Sequence, residues 1–182
     1  MYQLDDILGN ASRYKVLKLF LKNPKKEFYA TQVRKKTGLS KTTTGKRLRE
    51  LREQEIIKLR EEANAKFYRL KKENPFVKQM KILISLANIL PAFQEFKEEA
   101  YIYGSVARGE DTEKSDLDLL VITEKEETKI IQEINHISKE IERKINPIIF
   151  TPIGYSKLPD KDKALYRRIE RDKIKISEKN EY

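Results

Sequence analysis

Apolar residues recur along this chain with two different periods, and each change of period marks an element. Val16, Leu17, Phe20 and Leu21 fall at helical spacing, which predicts a helix from Ala11 that ends at Asn23-Pro24. A second short helix is expected over Thr31 to Thr37, with Gly38 as the turn residue. Ser40 then caps a third helix, Lys41 to about Gln54, with Leu48 and Leu51 facing inward. Ile56 to Arg60 and Phe67 to Leu70, separated by the polar tip EEANAK, read as a β-hairpin. Phe76, Met80, Ile82, Leu83, Leu86, Ile89 and Leu90 return to helical spacing within Asn74 to Glu99, and Pro91 predicts a stop or kink followed by a second short helix. Tyr101-Ile102-Tyr103 is strand-like, and so is Asp116 to Ile122. Ile130, Ile134, Ile137, Ile141 and Ile145 describe an amphipathic helix. Ile145 to Phe150 reads as a further strand, near a sheet edge because of Pro147. Leu165, Tyr166 and Ile169 predict a last helix, and the alternation of Ile174 and Ile176 a short closing strand.

Composition adds class and partners. Of 182 residues, 38% are hydrophobic and 37% charged, so a core is possible under a densely charged surface. The absence of cysteine excludes a disulfide framework and thiolate metal ligands, and suits a reducing cytoplasm. The acidic start MYQLDDILGN lacks the basic region of a signal peptide. The longest apolar-rich run, Ile82 to Phe93, is expected to be too short to span a bilayer. The high charge content also suits a heat-adapted source.

The net charge of +10 is unevenly spread. Residues 1–73 hold 20 Lys and Arg against 9 Asp and Glu, whereas residues 74–182 hold 19 against 20. Such asymmetry suggests a module that meets a polyanion, joined to one that does not. The expected organisation is a basic domain at 1–73, a helical linker at 74–99 and a second domain at 100–182. The apolar surface of the linker suits either packing between domains or a homodimer contact, and the pattern leaves both open.

In the second domain, Tyr103-Gly104-Ser105 is followed ten residues later by Asp116-Leu117-Asp118. Gly104 permits a sharp turn that brings the Ser105 hydroxyl and nearby amides toward a ligand. Period-two geometry sets Asp116 and Asp118 on one face, roughly 6.6 Å apart along the strand. Two such carboxylates can share divalent metal, as two-metal phosphoryl transfer requires. Mg²⁺ favours a few carboxylates supplemented by substrate phosphates and water.

These residues, with Arg108-Gly109 and Ser115, resemble the minimal branch of the DNA polymerase β-like nucleotidyltransferase superfamily. The likeness covers about twenty residues. It implies an α/β domain with a small mixed sheet, and transfer of a nucleoside monophosphate from NTP to a hydroxyl with release of pyrophosphate. It further implies that Gly104, Ser105, Arg108 and Ser115 bind nucleotide. Asp116 and Asp118 become the catalytic pair and the ligands of Mg²⁺ or Mn²⁺. The family uses a third carboxylate on a later strand, and the position expected to hold it is Asn146, an amide that cannot act as a general base. Glu140 and Glu142 are close in sequence but on a helix. His136, the one histidine, falls between core isoleucines and reads as a surface residue.

Residues 12–72, with the segment ATQVRKKTGLSKTTTGKRLRELREQEIIKL, resemble the winged helix-turn-helix family of DNA-binding domains. In that family the third helix enters the major groove. The resemblance nominates Lys41, Thr42, Thr43, Lys46 and Arg47 for bases, and Arg49, Arg52, Arg60 and Lys66 for phosphates of double-stranded DNA. Thr44 departs from the apolar residue expected to point into the core. A basic face on a protein–protein module is the alternative.

The whole chain therefore reads as an α+β protein, a winged helix-turn-helix fused to a nucleotidyltransferase-like domain. The first functional reading is a cytoplasmic enzyme that transfers a nucleotide, with AMP as the guess, to a small molecule or to a partner protein such as the toxin of a toxin–antitoxin pair. The second is a transcription regulator that binds NTP without turnover, which Asn146 favours. The third is a scaffold acting through partner contacts.

Overall fold

The computed structural model describes residues 9–63, 65–112 and 114–178, so the N-terminal stretch read as acidic, Asn64 of the hairpin tip and the end of the polar tail lie outside the described residues. The chain divides into two compact units between Lys78 and Gln79.

The first unit is built from α1 (Ala11–Lys22), β1 (Glu27–Tyr29), α2 (Ala30–Thr37), α3 (Lys41–Glu53), β2 (Ile57–Glu62) and β3 (Ala65–Leu70). Three helices carry a three-stranded antiparallel sheet in the order β1-β3-β2, the arrangement of a winged helix. Asn10 caps α1 by accepting from the Arg13 amide, and Ser40 caps α3 by accepting from the Thr43 amide at 3.1 Å. Gly38 ends α2 with φ of 69°, a left-handed value open to glycine at no cost, and so sets the turn into α3. Val16, Leu17, Phe20, Val33, Leu48 and Leu51 are buried, as their spacing demands. Thr44 is buried too, and its hydroxyl donates to the Ser40 carbonyl at 2.8 Å, so the polar group in the core is satisfied.

A charge cluster ties α1 to α3. Glu50 accepts from Arg13 Nε at 3.0 Å and from Arg47 Nη1 at 2.8 Å, while Arg47 Nε donates to Ser12 Oγ at 2.8 Å. Burial raises the Glu50 carboxyl, but the hydrogen bonds from Arg47 and Arg13 together outweigh it and hold the group below the usual range. A carboxyl depressed by folding stabilises above its unfolded pKa, and the gain disappears as the pH falls through its folded value. Glu50→Gln is therefore expected to cost about 2–3 kcal/mol near neutrality. The deficit against wild type should shrink in acid, which denaturant melts at the two pH values would check.

The second unit begins within α4 (Pro75–Ile89), which continues as a 3₁₀ turn, Leu90–Phe93, at Pro91. Together they make 19 helical residues, long and apolar enough by size and composition to cross a membrane. The apolar run Ile82 to Phe93 is the second half of this longer helical stretch. Val77, Met80, Ile89 and Phe93 are buried, while Leu83 and Leu90 are exposed. Then follow β4 (Glu99–Tyr103), β5 (Leu117–Ile122), α5 (Glu127–Glu140), β6 (Ile145–Phe150), the short helices α6 (Pro152–Ser156) and α7 (Leu158–Lys161), α8 (Lys163–Glu170) and β7 (Ile174–Ser177).

The sheet is mixed, in the order β6-β5-β4-β7, with β5 and β6 parallel and the other pairs antiparallel. Pro147 lies on the edge strand β6, where its missing N–H is tolerated. Leu117, Leu119 and Val121 pack on one face with Ile130, Ile134, Ile137, Ile89 and Phe93. Ile89, Phe93 and Phe96, within the 74–99 stretch expected as a helical linker, thus supply part of this core. Leu120 and Ile122 point to the other face, beside Tyr103, Leu158 and Ile169.

Candidate nucleotide site and nucleic-acid face

Three strand ends converge in the second unit. The antiparallel pairing of β4 with β5 sets Tyr103 opposite Asp118, and the parallel pairing of β5 with β6 sets Asp118 opposite Asn146. The C-terminal end of β4 and the N-terminal ends of β5 and β6 therefore meet at one corner of the sheet. Asp118 shares the face of Leu120, Ile122 and Tyr103 by the two-residue period. Asp116 immediately precedes β5 and is partly exposed.

Gly104 turns the chain away from this corner with φ of 76°, and a Cβ placed on it would lie 2.3 Å from Asp118 Oδ2. The absent side chain is thus what leaves room for the carboxylate. After it the backbone makes a single helical turn, closed by Arg108 N to the Gly104 carbonyl at 3.1 Å and Glu110 N to the Ser105 carbonyl at 2.8 Å. Asp116 Oδ2 accepts from Asn146 Nδ2 and from Lys144 Nζ, each at 3.1 Å. Those two donors, Asn146 foremost, hold the Asp116 carboxyl below its ordinary range.

Asn146 thus stands beside the aspartate pair, at the position predicted for a third acid. Glu140, Glu142 and His136 are exposed residues. Among the described residues, no three acidic, histidine or cysteine side chains gather to hold a metal ion. The pair still fits Mg²⁺ or Mn²⁺: two carboxylates, one seated in space that a Cβ would fill, match an ion that takes its other ligands from water and phosphate. Asp116 and Asp118 are the residues that would hold it.

Two residues of the motif are occupied elsewhere. Arg108 donates to Glu110 at 2.9 Å and to the nearly buried Asp172 at 2.5 Å, which fastens the turn to the approach to β7. Ser115 Oγ accepts from the Thr112 amide at 2.9 Å and shapes the loop before Asp116. Both brace the loops around the corner. Ser105 is partly exposed on the turn.

A buried cluster absent from the sequence reading fixes that same loop. Asp111 pairs with Lys81 at 3.0 Å and with Arg143 at 3.1 Å, and Lys81 also donates to the Asp111 carbonyl. Arg143 Nε reaches the Ser115 carbonyl at 2.7 Å. Lys81 and Asp111 are buried, and buried charges persist when they are paired.

In the first unit, Lys41, Thr42, Lys46, Arg49 and Arg52 are exposed along α3 and Thr43 is half-buried. Among the described residues, Lys41, Lys46, Arg49 and Arg52 form no ion pair. Arg47 differs: bound to Glu50 and Ser12 and largely buried, it braces the helices rather than facing outward. Arg60 is likewise engaged, by Glu27 at 2.8 Å and by Glu62, over the ring of Phe67. Lys66 pairs with Glu61 at 3.3 Å on the exposed hairpin. Arg34 and Lys35, which the sequence reading passed over, line a groove with Gly38, Ser40 and Lys41 and extend the basic face.

A winged-helix arrangement is thus followed by an α/β unit whose paired aspartates stand at a glycine turn. The sequence profile of the nucleotidyltransferase domain matches residues 83–181, more than half of the chain. The chain belongs to that family. No curated protein matches it. Solved structures similar to it include NolR from Sinorhizobium fredii, at 27% identity over 47% of this chain and 78% of that one, with a TM-score of 0.38. Another is the homodimeric winged helix-turn-helix DNA-binding domain of Mb0332 from Mycobacterium bovis, at 20% identity over 51% and 82%, with a TM-score of 0.41. A third is a proposed nucleotidyltransferase from Sulfolobus solfataricus, at 21% identity over 55% and 82%, with a TM-score of 0.31.

Proposed function

We propose that this protein is a cytoplasmic, metal-dependent nucleotidyltransferase tethered to a DNA-binding winged helix. It moves a nucleoside monophosphate, AMP as the working case, from NTP to an acceptor oxygen on a small molecule or a partner protein. The carrying observation is the seat of Asp118 against Gly104, beside Asp116, at the corner where three strand ends meet. Gly104 and Ser105 cradle the triphosphate at the turn, and Asp116 and Asp118 hold Mg²⁺. When bound, that ion offsets negative charge on the phosphates. Arg108 and Ser115 keep the two loops in register, through Asp172 and Thr112 respectively.

On the first unit, Lys41, Thr42, Thr43 and Lys46 approach bases while Arg49, Arg52, Arg34 and Lys35 meet phosphates. Exposed Leu83 and Leu90 on the helical stretch supply apolar surface for a second copy or for a partner protein.

A regulator that binds nucleotide without turnover is the second reading. The amide of Asn146 in place of a base favours it. Both readings predict Mg²⁺-dependent NTP binding that weakens at least about tenfold in Asp116→Ala, Asp118→Ala, which equals at least about 1.4 kcal/mol. Equal binding by wild type and variant, measured by equilibrium dialysis, would sink both.

A further inference from the structure

A nucleoside triphosphate stays negatively charged after one Mg²⁺ binds, so its site calls for protein cations as well. The cations on the loops around the aspartates are already engaged. Arg108 is held by Glu110 and Asp172, Arg143 by Asp111 and the Ser115 carbonyl, and Lys144 by Asp116.

A free one comes from a later helix. Helix α8 covers the sheet face that Asp118 shares. Ile169 belongs to the buried cluster of Tyr103 and Leu120, and Leu165, one turn earlier, packs on the same cluster. Arg168, next to Ile169 in the last turn, is exposed and among the described residues forms no ion pair. Its guanidinium is within hydrogen-bonding reach of the Tyr103 hydroxyl. Tyr103 in turn pairs with Asp118 across β4 and β5. Burial and then the Asp118 charge raise the pKa of that phenol, while Arg168 lowers it, so the hydroxyl feels both groups. The end of α8 is also fastened to the glycine turn, because Asp172, two residues beyond it, binds Arg108.

The glycine turn, Asp118 and the end of α8 thus meet on one side of the corner. With the α-phosphate at the aspartates, the two outer phosphates extend along this side. A guanidinium has five N–H donors in a planar fork, so Arg168 can keep its contact with Tyr103 and still bind phosphate oxygens. We infer that Arg168 binds the two outer phosphates of the NTP, the ones that leave as diphosphate, and that Tyr103 positions it there. This deepens the proposed function and rests on it.

The test measures binding to the full chain with Mg²⁺ by equilibrium dialysis, using ATP and AMP as probes. Arg168→Ala should weaken ATP binding at least about tenfold and leave AMP binding unchanged. Arg168→Lys, which keeps the charge and loses the fork, should fall between wild type and Arg168→Ala. Mn²⁺ binding followed by electron paramagnetic resonance should be the same in wild type and Arg168→Ala, because the aspartates are untouched. Tyr103→Phe should weaken ATP binding about threefold in the wild type and have no further effect in Arg168→Ala.

Unchanged ATP binding in Arg168→Ala overturns the inference. A loss of equal size for AMP, or a parallel loss of Mn²⁺ binding, overturns it too and makes Arg168 a support of the whole corner. Equal losses from Tyr103→Phe in both backgrounds remove the role given to the phenol. A wild type that binds no ATP removes the proposed function itself, and the inference with it.

Discussion

Gly104→Val should leave a folded protein whose nucleotidyl transfer has fallen by at least about 100-fold. A β-branched residue at φ of 76° is strained, at about 1–3 kcal/mol, which a domain of this size can survive. The larger effect is local. The new Cβ would stand 2.3 Å from Asp118 Oδ2, and the short aspartate side chain is the easiest thing to move. Asp118 turns away, and a displacement of about 1 Å at a reacting centre costs on the order of 100-fold. The folded state is checked by circular dichroism and the activity by transfer of labelled nucleotide. A variant with wild-type transfer would show that Asp118 does not work from the position seen here.

Reversing Lys41 and Lys46 together to glutamate should weaken duplex DNA binding at least about 100-fold at physiological salt. Each lost contact to base or phosphate costs about 1–3 kcal/mol, and the new carboxylates repel the backbone. The slope of log affinity against log salt should fall by about two. Lys41 and Lys46 are exposed and, among the described residues, make no ion pair, so the exchange leaves the fold intact. Arg47 is a poor choice for the same experiment, because its reversal would set a carboxylate against Glu50 and loosen α1 from α3. Unchanged affinity in a fluorescence-anisotropy titration would move the basic face to a protein partner.

Elements with clean periodicity were legible in the chain: the isoleucines of α5, the Ser40 cap, and the runs ending at Gly104 and beginning at Asp116. Strand β1 was not, because Glu27-Phe28-Tyr29 is too short to show alternation and exists through pairing with β3. Helices α6 and α7 are single turns built on prolines, below the length at which spacing speaks.

The corner itself was readable, since glycine, aspartates and Asn146 come from strand ends whose neighbours follow from order. What each cation does was not. Arg108 matches the family motif and Arg47 sits on the third helix, yet their partners, Asp172 and Glu50 with Ser12, are fixed by packing. The Lys81–Asp111–Arg143 cluster joins residues about thirty apart in sequence, beyond the reach of any local pattern.

Nucleotidyl transfer at the aspartate corner is open to a direct test. The most direct measurement incubates the full chain with each α-phosphate-labelled NTP, Mg²⁺ or Mn²⁺, and a cell extract to supply acceptors. Asp116→Ala, Asp118→Ala runs alongside. A labelled acceptor is expected with wild type and none with the variant. No label with any nucleotide, or equal label from both proteins, would contradict it.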